Sequence, residues 1–338
     1  MPDARFVDAA REAVCLASSV CRSVQARLDE VRAITKDDRS PVTVADFASQ
    51  AVVAKVLSER LGEIVLVAEE NSAFLRDPAH AAHLDAVVSA VREAWPDATP
   101  DLVLSAIDVG AADPAEHASF WTLDPIDGTK GFLRNQQYAV ALGYVERDAA
   151  TLGVMGCPNL PLDFSASVDV PDPRGSLYFA VKHEGVWETT CDAATADAHR
   201  LSHLDRDPRD SIVPTASVEA AHTSHSDTDR VLEYLAAKGV PSEDPLRMDS
   251  QAKYAVVARG QADVYLRLPT KPGYVERIWD HAAGSAIANE AGCFVTDIHG
   301  NDLDFSRGRG LERNRGIVCA PARVHALVLE AIKHLNLA

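Results

Sequence analysis

The sequence predicts a mixed α/β fold made of two packed sub-domains. The chain has 338 residues, which exceeds the ~250–300 residues at which a single hydrophobic core stops growing. Apolar residues recur at steps of three and four from Phe6 to Val31, as on the buried face of a long helix. Strand and helix patterns then alternate along the chain. We therefore expect an N-terminal α+β domain over residues 1–165 and a C-terminal α/β domain over residues 166–338.

The first half is predicted to carry acidic residues where secondary-structure elements end. A second helix follows the extended residues 42–46, which places Asp46 at a strand-to-helix corner. Residues 64–68 have the composition of a buried strand and are followed by Glu69 and Glu70. Open α/β folds carry their chemistry at the carboxyl ends of strands. We therefore expect functional carboxylates at these two corners.

The remaining elements follow from similar patterns. Residues 71–118 are predicted as helix followed by irregular chain, without candidate site residues. The predicted strands cover residues 120–123, 138–145, 152–156, 177–181 and 262–267, and the predicted helices cover residues 227–239 and 281–291.

The charge balance restricts the classes of partner. The chain has 33 Lys and Arg against 50 Asp and Glu, a net charge of −17. Such a field repels polyanions, so nucleic-acid binding is not expected, and a phosphorylated substrate requires a local cationic site or metal ions. No run approaches the ~18 apolar residues of a membrane span, and the N-terminus lacks a secretory signal pattern. A cytoplasmic protein without membrane contact is expected.

Six cysteines are spread over the chain and form no C-x-x-C pair. This spacing is typical neither of a disulfide framework nor of a zinc cluster. We expect reduced thiols in the core, and regulatory oxidation of one pair stays open.

The segment from Asp124 to Thr129 is the most informative motif. Two carboxylates three residues apart, with a proline between them, can converge on a hard cation, and the carbonyl of Ile126 supplies a further oxygen. Gly128 and Thr129 add backbone amides at a predicted helix start, where a phosphate oxygen binds favourably. The alternative is an ordinary capped turn. The preceding strand, and Glu69 at the end of another, favour a metal site.

Asp280 admits two interpretations. As the N-cap of the helix over 281–291 it has a complete structural explanation, and as a metal ligand it has a functional one. The isolated cations Lys253, Arg267, Lys271 and Arg277 are explained either by solvated surface or by an anionic ligand. His222 and His225 lack a third ligand nearby and do not form a convincing transition-metal motif.

Several catalytic motifs are absent. The sequence contains no G-x-x-x-x-G-K-[ST], no G-x-S-x-G and no H-E-x-x-H. Gly308-Arg309-Gly310 does not complete a dinucleotide-binding fingerprint. These observations exclude the P-loop kinase, α/β-hydrolase and zincin classes.

The motifs together resemble the lithium-sensitive, magnesium-dependent sugar phosphatases that include inositol monophosphatase and fructose-1,6-bisphosphatase. Within this superfamily the sequence is most similar to the 3′(2′),5′-bisphosphate nucleotidases. That closer likeness rests on residues 40–46, 121–134, 153–161, 217–219 with His222, 249–254 and 262–269. The resemblance covers residues 5 to 320 and implies a layered α/β/α/β/α fold with the site between its two halves.

The resemblance implies a role for each acidic residue. Glu69, Asp124 and the carbonyl of Ile126 would hold one Mg²⁺. Asp124, Asp127 and Asp280 would hold a second, and a third ion stays open. Asp46 and Thr129 look like the pair that orients and deprotonates the attacking water.

The same resemblance implies the substrate. It would be 3′-phosphoadenosine 5′-phosphate, hydrolysed to AMP, together with its sulfated parent. His222, Ser250, Lys253 and Arg267 would hold the nucleotide and its second phosphate, with Thr129 and Asp280 also contacting the substrate.

Two alternatives remain, an inositol polyphosphate 1-phosphatase activity and a nucleotide sensor without turnover. Lithium inhibition and a monomeric state are expected.

Overall fold

The computed structural model describes residues 3–28, 44–201, 211–218, 225–269, 271 and 273–337. The helices of this part of the chain are α1 Ala4–Ala26, α2 Val44–Leu61, α3 Ala73–Arg76, α4 Ala81–Val91, α5 Pro100–Asp108, α6 Thr129–Leu133, α7 His225–Ala237, α8 Ala252–Ala258, α9 Ala282–Glu290 and α10 Ala322–His334. Its strands are β1 Leu66–Ala68, β2 Ser119–Asp127, β3 Ala139–Glu146, β4 Ala149–Cys157, β5 Ser176–Val181, β6 Gly185–Thr190, β7 His199–Leu201, β8 Pro214–Ala216, β9 Leu246–Arg247, β10 Val264–Arg267, β11 Cys293–Thr296 and β12 Ile317–Pro321.

Helix α1 begins close to its predicted position because Asp3 caps it. A carboxylate oxygen of Asp3 accepts hydrogen bonds from the backbone amides of Arg5, at 2.9 Å, and Phe6, at 3.3 Å. The helix ends at Ala26, whereas the apolar pattern continues to Val31. The last residues of that pattern, 29–31, lie outside the described residues.

The first sheet contains seven strands in the order β1 to β7. Strands β1 and β2 are parallel, and every other neighbouring pair is antiparallel. Helices α1 and α2 pack on one face and α9 packs on the other. Gly143 and Gly153 allow α9 to approach closely, because a Cβ atom on Gly153 would lie 2.5 Å from the carbonyl oxygen of Ala283.

The second sheet contains five strands in the order β11-β12-β10-β8-β9. The neighbouring pairs β11/β12 and β12/β10 are antiparallel, whereas β10, β8 and β9 run parallel to one another. Helices α7 and α10 cover one face, and the other faces the layer of α8 and α9.

Three hydrophobic cores fill the spaces between these layers. The first lies between the helices α1, α2, α4 and α5 and the first sheet. The second lies around α8 and α9, between the two sheets. The third lies between the second sheet and helices α7 and α10. The order is therefore helix, sheet, helix, sheet, helix, which confirms the layered α/β/α/β/α prediction.

The predicted domain boundary near residue 165 falls between β4 and β5, which pair with each other in the first sheet. The first sheet continues to Leu201, and the second begins at Pro214. Residues 163–175 are rich in Asp and Pro because they form an irregular excursion between paired strands, and loops of this kind share their composition with linkers.

The helices and the cysteines of the described residues bear on two further predictions, those on membrane spans and on disulfide bonds. None of the helices there is long and apolar enough to cross a membrane. All six cysteines are buried and free of disulfide bonds, as predicted for core thiols.

Candidate active site

Glu69 and Asp124 lie next to each other because β1 and β2 run parallel. Ala68 is in register with Leu123, so Glu69 and Asp124 each directly follow one member of this pair, at the same edge of the sheet. The backbone amide of Glu69 donates to the carbonyl of Leu123 at 3.2 Å and continues the pairing by one residue. This is the strand edge at which open α/β sheets bind ligands.

The chain leaves regular pairing between Asp124 and Asp127. The register of β2 with β3 shifts there, as at a β-bulge. A carboxylate oxygen of Asp124 accepts the backbone amide of Ile126 at 3.1 Å. The hydroxyl of Thr129 donates to the carbonyl of Ile126 at 3.2 Å, and one lone pair of that carbonyl is left for a cation. The irregular backbone therefore places two carboxylates and one carbonyl within the four residues from Asp124 to Asp127.

Gly128 brings this loop against the second half of the chain. Its φ angle is +89°, and a Cβ atom added to it would lie 2.9 Å from Cβ of Ser250. Ser250 has a φ angle of +73°, which is uncommon outside glycine. The two backbones thus meet at the proposed phosphate-binding loop, and only glycine leaves room for that approach.

Helix α2 supplies Asp46 and fixes the Glu69 corner. Asp46 is buried in the first turn of α2. One turn later, the side chain of Gln50 donates to the carbonyl of Glu70 at 2.8 Å and accepts its amide at 3.1 Å. Sequence reasoning missed Gln50, because a glutamine inside a helix carries no signal until its partners are known.

Asp280 lies in a turn just before α9. The N-cap position of this helix is occupied by His281, so the capping explanation for Asp280 does not hold. The Arg267 guanidinium lies 4.0 Å from the Asp280 carboxylate and pairs with Glu276 at 2.8 Å. Asp280 retains partial solvent access.

Gln251 connects the Asp127 loop to the Asp280 turn. Its backbone amide donates to the Asp127 carboxylate at 2.8 Å. Its side chain donates to the carbonyl of Trp279 at 2.9 Å and accepts the amide of Gly284 at 3.1 Å. Gln251 therefore holds both sides of the turn that carries Asp280. It belongs to the block that carried the resemblance, but sequence reasoning gave it no role.

The predicted carboxylates are close enough to affect one another's ionisation. Burial raises the pKa of Asp124 well above its usual range, and the charges of Glu69, Asp127, Asp280 and Asp46 raise it further. Loss of hydration raises the pKa of Glu69, as does the charge of Asp127. The pKa of Asp280 is likewise raised well above its usual range, mainly by burial. A bound cation would relieve this repulsion.

The donor set fits Mg²⁺. It consists of carboxylate oxygens and one backbone carbonyl, the ligands that hard divalent cations prefer. The site also retains solvent access at Glu69, Asp127 and Asp280, so an ion and a substrate can reach it.

Glu276, Asp280 and His281 form a second cluster of possible metal ligands, but two of its members already have partners within the protein. Ligand atoms of Glu276, Asp280 and His281 lie within 4.8 Å of one another. Glu276 is already neutralised by Arg267, and His281 accepts or donates a hydrogen bond with Tyr254 at 2.9 Å. These partners make the group an ion-pair network that orients Arg267.

Lys253 and Arg267 face the carboxylate cluster from the second half. Lys253 is buried, and its ammonium group donates to the carbonyl of Met248 at 3.3 Å and lies 5.2 Å from the centre of the Tyr265 ring. Burial lowers the pKa of Lys253 to about 8, and the charge of Asp127 opposes that change. His222 lies outside the described residues, so its predicted role stays a prediction.

The layered fold and the carboxylate cluster are accompanied by a match to one protein family. The chain belongs to the inositol monophosphatase family, whose model matches residues 5–336. Two relatives are more specific. The chain is 40% identical over 319 residues to the 3′(2′),5′-bisphosphate nucleotidase of Emericella nidulans, covering 89% of this chain and 90% of the relative. It is 37% identical over 336 residues to the enzyme of that name from Schizosaccharomyces pombe, covering 96% and 93%.

A solved structure supports the fold alone. Mycobacterium tuberculosis SuhB superposes with a TM-score of 0.60 at 18% sequence identity. The superposition covers 98% of this chain and 97% of that protein.

Proposed function

We propose that this chain is a Mg²⁺-dependent phosphatase that removes the 3′-phosphate of 3′-phosphoadenosine 5′-phosphate and leaves AMP. The observation that carries the proposal is the position of two cations, Lys253 and Arg267, beside the carboxylate cluster. A bisphosphorylated substrate accounts for both parts, with one phosphate at the cluster and the other at the cations. The names of the nucleotidase relatives support the nucleotide. The sulfated parent of this nucleotide is proposed as a second substrate.

The proposed metal ligands come from both halves of the chain. Glu69, Asp124 and the carbonyl of Ile126 would hold one Mg²⁺, and Asp124, Asp127 and Asp280 would hold a second. When bound, the two ions lower the pKa of a water molecule and neutralise phosphate charge. The bulge after Asp124 and the turn at Asp280 fix these oxygens before the ions arrive.

Asp46 and Thr129 are proposed to prepare the attacking water. The Thr129 hydroxyl, held by the Ile126 carbonyl, orients the water toward the phosphorus. The Asp46 carboxylate takes up the water proton and releases it to solvent later. The water attacks in line with the ester bond, and the bond from phosphorus to the ribose 3′-oxygen breaks. The released ribose oxygen takes up a proton from solvent and becomes the 3′-hydroxyl of AMP, and no phosphoenzyme forms.

The second phosphate is proposed to bind between Ser250, Lys253 and Arg267. Glu276 holds the Arg267 guanidinium at 2.8 Å, so little side-chain freedom is lost on binding. The buried ammonium of Lys253 gains a charged partner, which returns its pKa toward the ordinary value. This pocket distinguishes a bisphosphate from a monophosphate.

The proposal is tested by measuring phosphate release from 3′-phosphoadenosine 5′-phosphate, inositol 1,4-bisphosphate and fructose 1,6-bisphosphate, each with Mg²⁺ and then with EDTA. Chelator-sensitive release from the nucleotide, inhibited by Li⁺, is expected. Preference for the inositol substrate would overturn the substrate assignment. Binding of the nucleotide without release would support a sensor.

A further inference from the structure

Arg309 joins a loop of the second half to the first sheet. One terminal nitrogen of its guanidinium donates to the carbonyl of Ala68, and the other donates to the carbonyl of Ala112 at 3.5 Å. Ala68 is the last residue of β1 and directly precedes Glu69. Residues 110–112 pair with β1 along the same edge. The guanidinium therefore holds the chain at the point where Glu69 leaves the sheet.

The same side chain also contacts the Asp280 turn. The guanidinium carbon of Arg309 lies 4.9 Å from the centre of the Trp279 ring, a cation–π contact. The backbone carbonyl of Arg309 accepts the amide of Ile278 at 3.2 Å. Arg309 thus contacts Ala68, directly before Glu69, and Trp279, directly before Asp280. Glu69 and Asp280 are the proposed ligands of different ions.

A second arginine contacts the same indole ring. The guanidinium carbon of Arg277 lies 6.0 Å from the centre of the Trp279 ring, so two positive charges lie beside the turn that carries Asp280.

Direct substrate binding explains Arg309 less well. Both terminal nitrogens of the guanidinium already donate to backbone carbonyls, and its face covers the Trp279 ring. A side chain with these partners orients the chain rather than the ligand.

We infer that Arg309 is a positioning residue that fixes Glu69 relative to Asp280 and thereby sets the affinity of the site for Mg²⁺. The inference rests on the proposed metal ligands. Groups that orient metal ligands from outside the coordination shell typically change metal affinity by ~10–100-fold when they are replaced.

The test compares Arg309→Gln, Arg309→Lys and the matched control Arg313→Gln. Arg313 belongs to the same loop, but its side chain is 62% exposed and pairs with Asp304 at 3.3 Å. Mg²⁺ binding to each metal-free protein is measured by titration calorimetry, below the unfolding temperature of every variant. The Mg²⁺ dependence of kcat is measured alongside it.

For Arg309→Gln we expect Mg²⁺ binding to weaken ~10–100-fold, while kcat at saturating Mg²⁺ changes much less. Arg309→Lys keeps the charge but loses the two parallel donors of the guanidinium, so we expect an intermediate loss of Mg²⁺ affinity. This variant also supplies the comparison if Arg309→Gln does not fold. Arg313→Gln should bind like the wild type.

Wild-type affinity in both Arg309 variants, even with a lower unfolding temperature, would overturn the inference and leave Arg309 a structural tie. Absence of Mg²⁺ binding by the wild-type protein would instead overturn the metal site itself.

Discussion

Asp124 is the residue on which the proposed mechanism depends most, because its carboxylate is shared by both proposed ions. Asp124→Asn keeps the shape of the side chain and removes its charge. We expect kcat/KM to fall by at least ~10³-fold, since metal ions contribute several kcal/mol of transition-state stabilisation. Phosphate release at saturating Mg²⁺ measures the change.

The control for this variant is its stability without metal. Because burial and neighbouring acids disfavour the ionised form of Asp124, the variant should unfold in EDTA at a temperature no lower than the wild type. Asp101→Asn, in the exposed first turn of α5, is the matched substitution and should leave activity unchanged. A wild-type rate for Asp124→Asn would remove this residue from the metal site.

Lys253 tests the pocket for the second phosphate. Lys253→Met keeps the apolar stem and removes the ammonium group. A hydrogen bond to a charged group contributes about 1.5–3 kcal/mol, so KM for the bisphosphate should rise ~10–100-fold. KM for 3′-AMP, which lacks the second phosphate, should change far less.

The pH profile provides a second readout of Lys253. Since the pKa of Lys253 is lowered to about 8, kcat/KM of the wild type for the bisphosphate should fall above that pH, and Lys253→Met should lose this limb. Lys238→Met, at an exposed pair with Glu330, is the control. Equal KM changes for both substrates would contradict the assigned role.

At the residue scale, the acidic residues of the site could be predicted from the sequence, but the residues that hold them in position could not. Glu69 and Asp124 directly follow the predicted strands over residues 64–68 and 120–123, and Asp127 comes three residues later, so these positions are visible in the sequence. Gln50 and Gln251 contribute through backbone groups of residues distant along the chain, so nothing local marks them. The same holds for Arg309.

At the scale of an element, the loop from Asp124 to α6 depends on Gly128. Gly128→Ala places a side chain at a φ angle of +89° and 2.9 Å from Ser250, whereas Gly239→Ala meets a φ angle of +83° in open space. Both variants should lose about 1–2 kcal/mol of stability, because both adopt the left-handed conformation. Only Gly128→Ala should also lower kcat, by ~10-fold or more.

Urea unfolding and steady-state kinetics separate the two effects. A Gly128→Ala enzyme with unchanged kcat would mean that this loop and Ser250 need not be in contact for catalysis.

Elements were predicted best where one face is buried. Strands β2 to β4 and helix α9 follow clear apolar patterns, and the structure confirms them. The end of the first sheet was not predictable, because residues 163–175 have the composition of a linker while β5 to β7 return to the same sheet. Which strands pair depends on the whole sheet, so the sequence of the loop between β4 and β5 does not show that they pair.

At the scale of the whole molecule, the unbalanced acidic cluster should make the metal-free protein sensitive to pH. Burial and the charges of Asp46 and Glu69 raise the pKa of Glu70 to about 8, above its value in the unfolded chain. The folded protein then binds more protons than the unfolded one between those two values. Its stability should therefore fall as the pH rises toward about 8.

His281 has the opposite effect on stability, and only at lower pH. Burial lowers the pKa of His281, so its contribution to stability rises with pH up to the ordinary value of 6.5 and is constant above it. Thermal unfolding in EDTA should thus show a lower unfolding temperature at pH 8 than at about pH 6.5. Saturating Mg²⁺ should reduce this difference, and an equal difference with and without Mg²⁺ would contradict the account.

The measurement that tests the central claim most directly is phosphorus NMR of the reaction with 3′-phosphoadenosine 5′-phosphate in ¹⁸O-labelled water with Mg²⁺. The account predicts loss of the 3′-phosphate signal, an unchanged 5′-phosphate signal and label in the released phosphate. Loss of the 5′-phosphate signal, or label in the ribose instead of the phosphate, would contradict it.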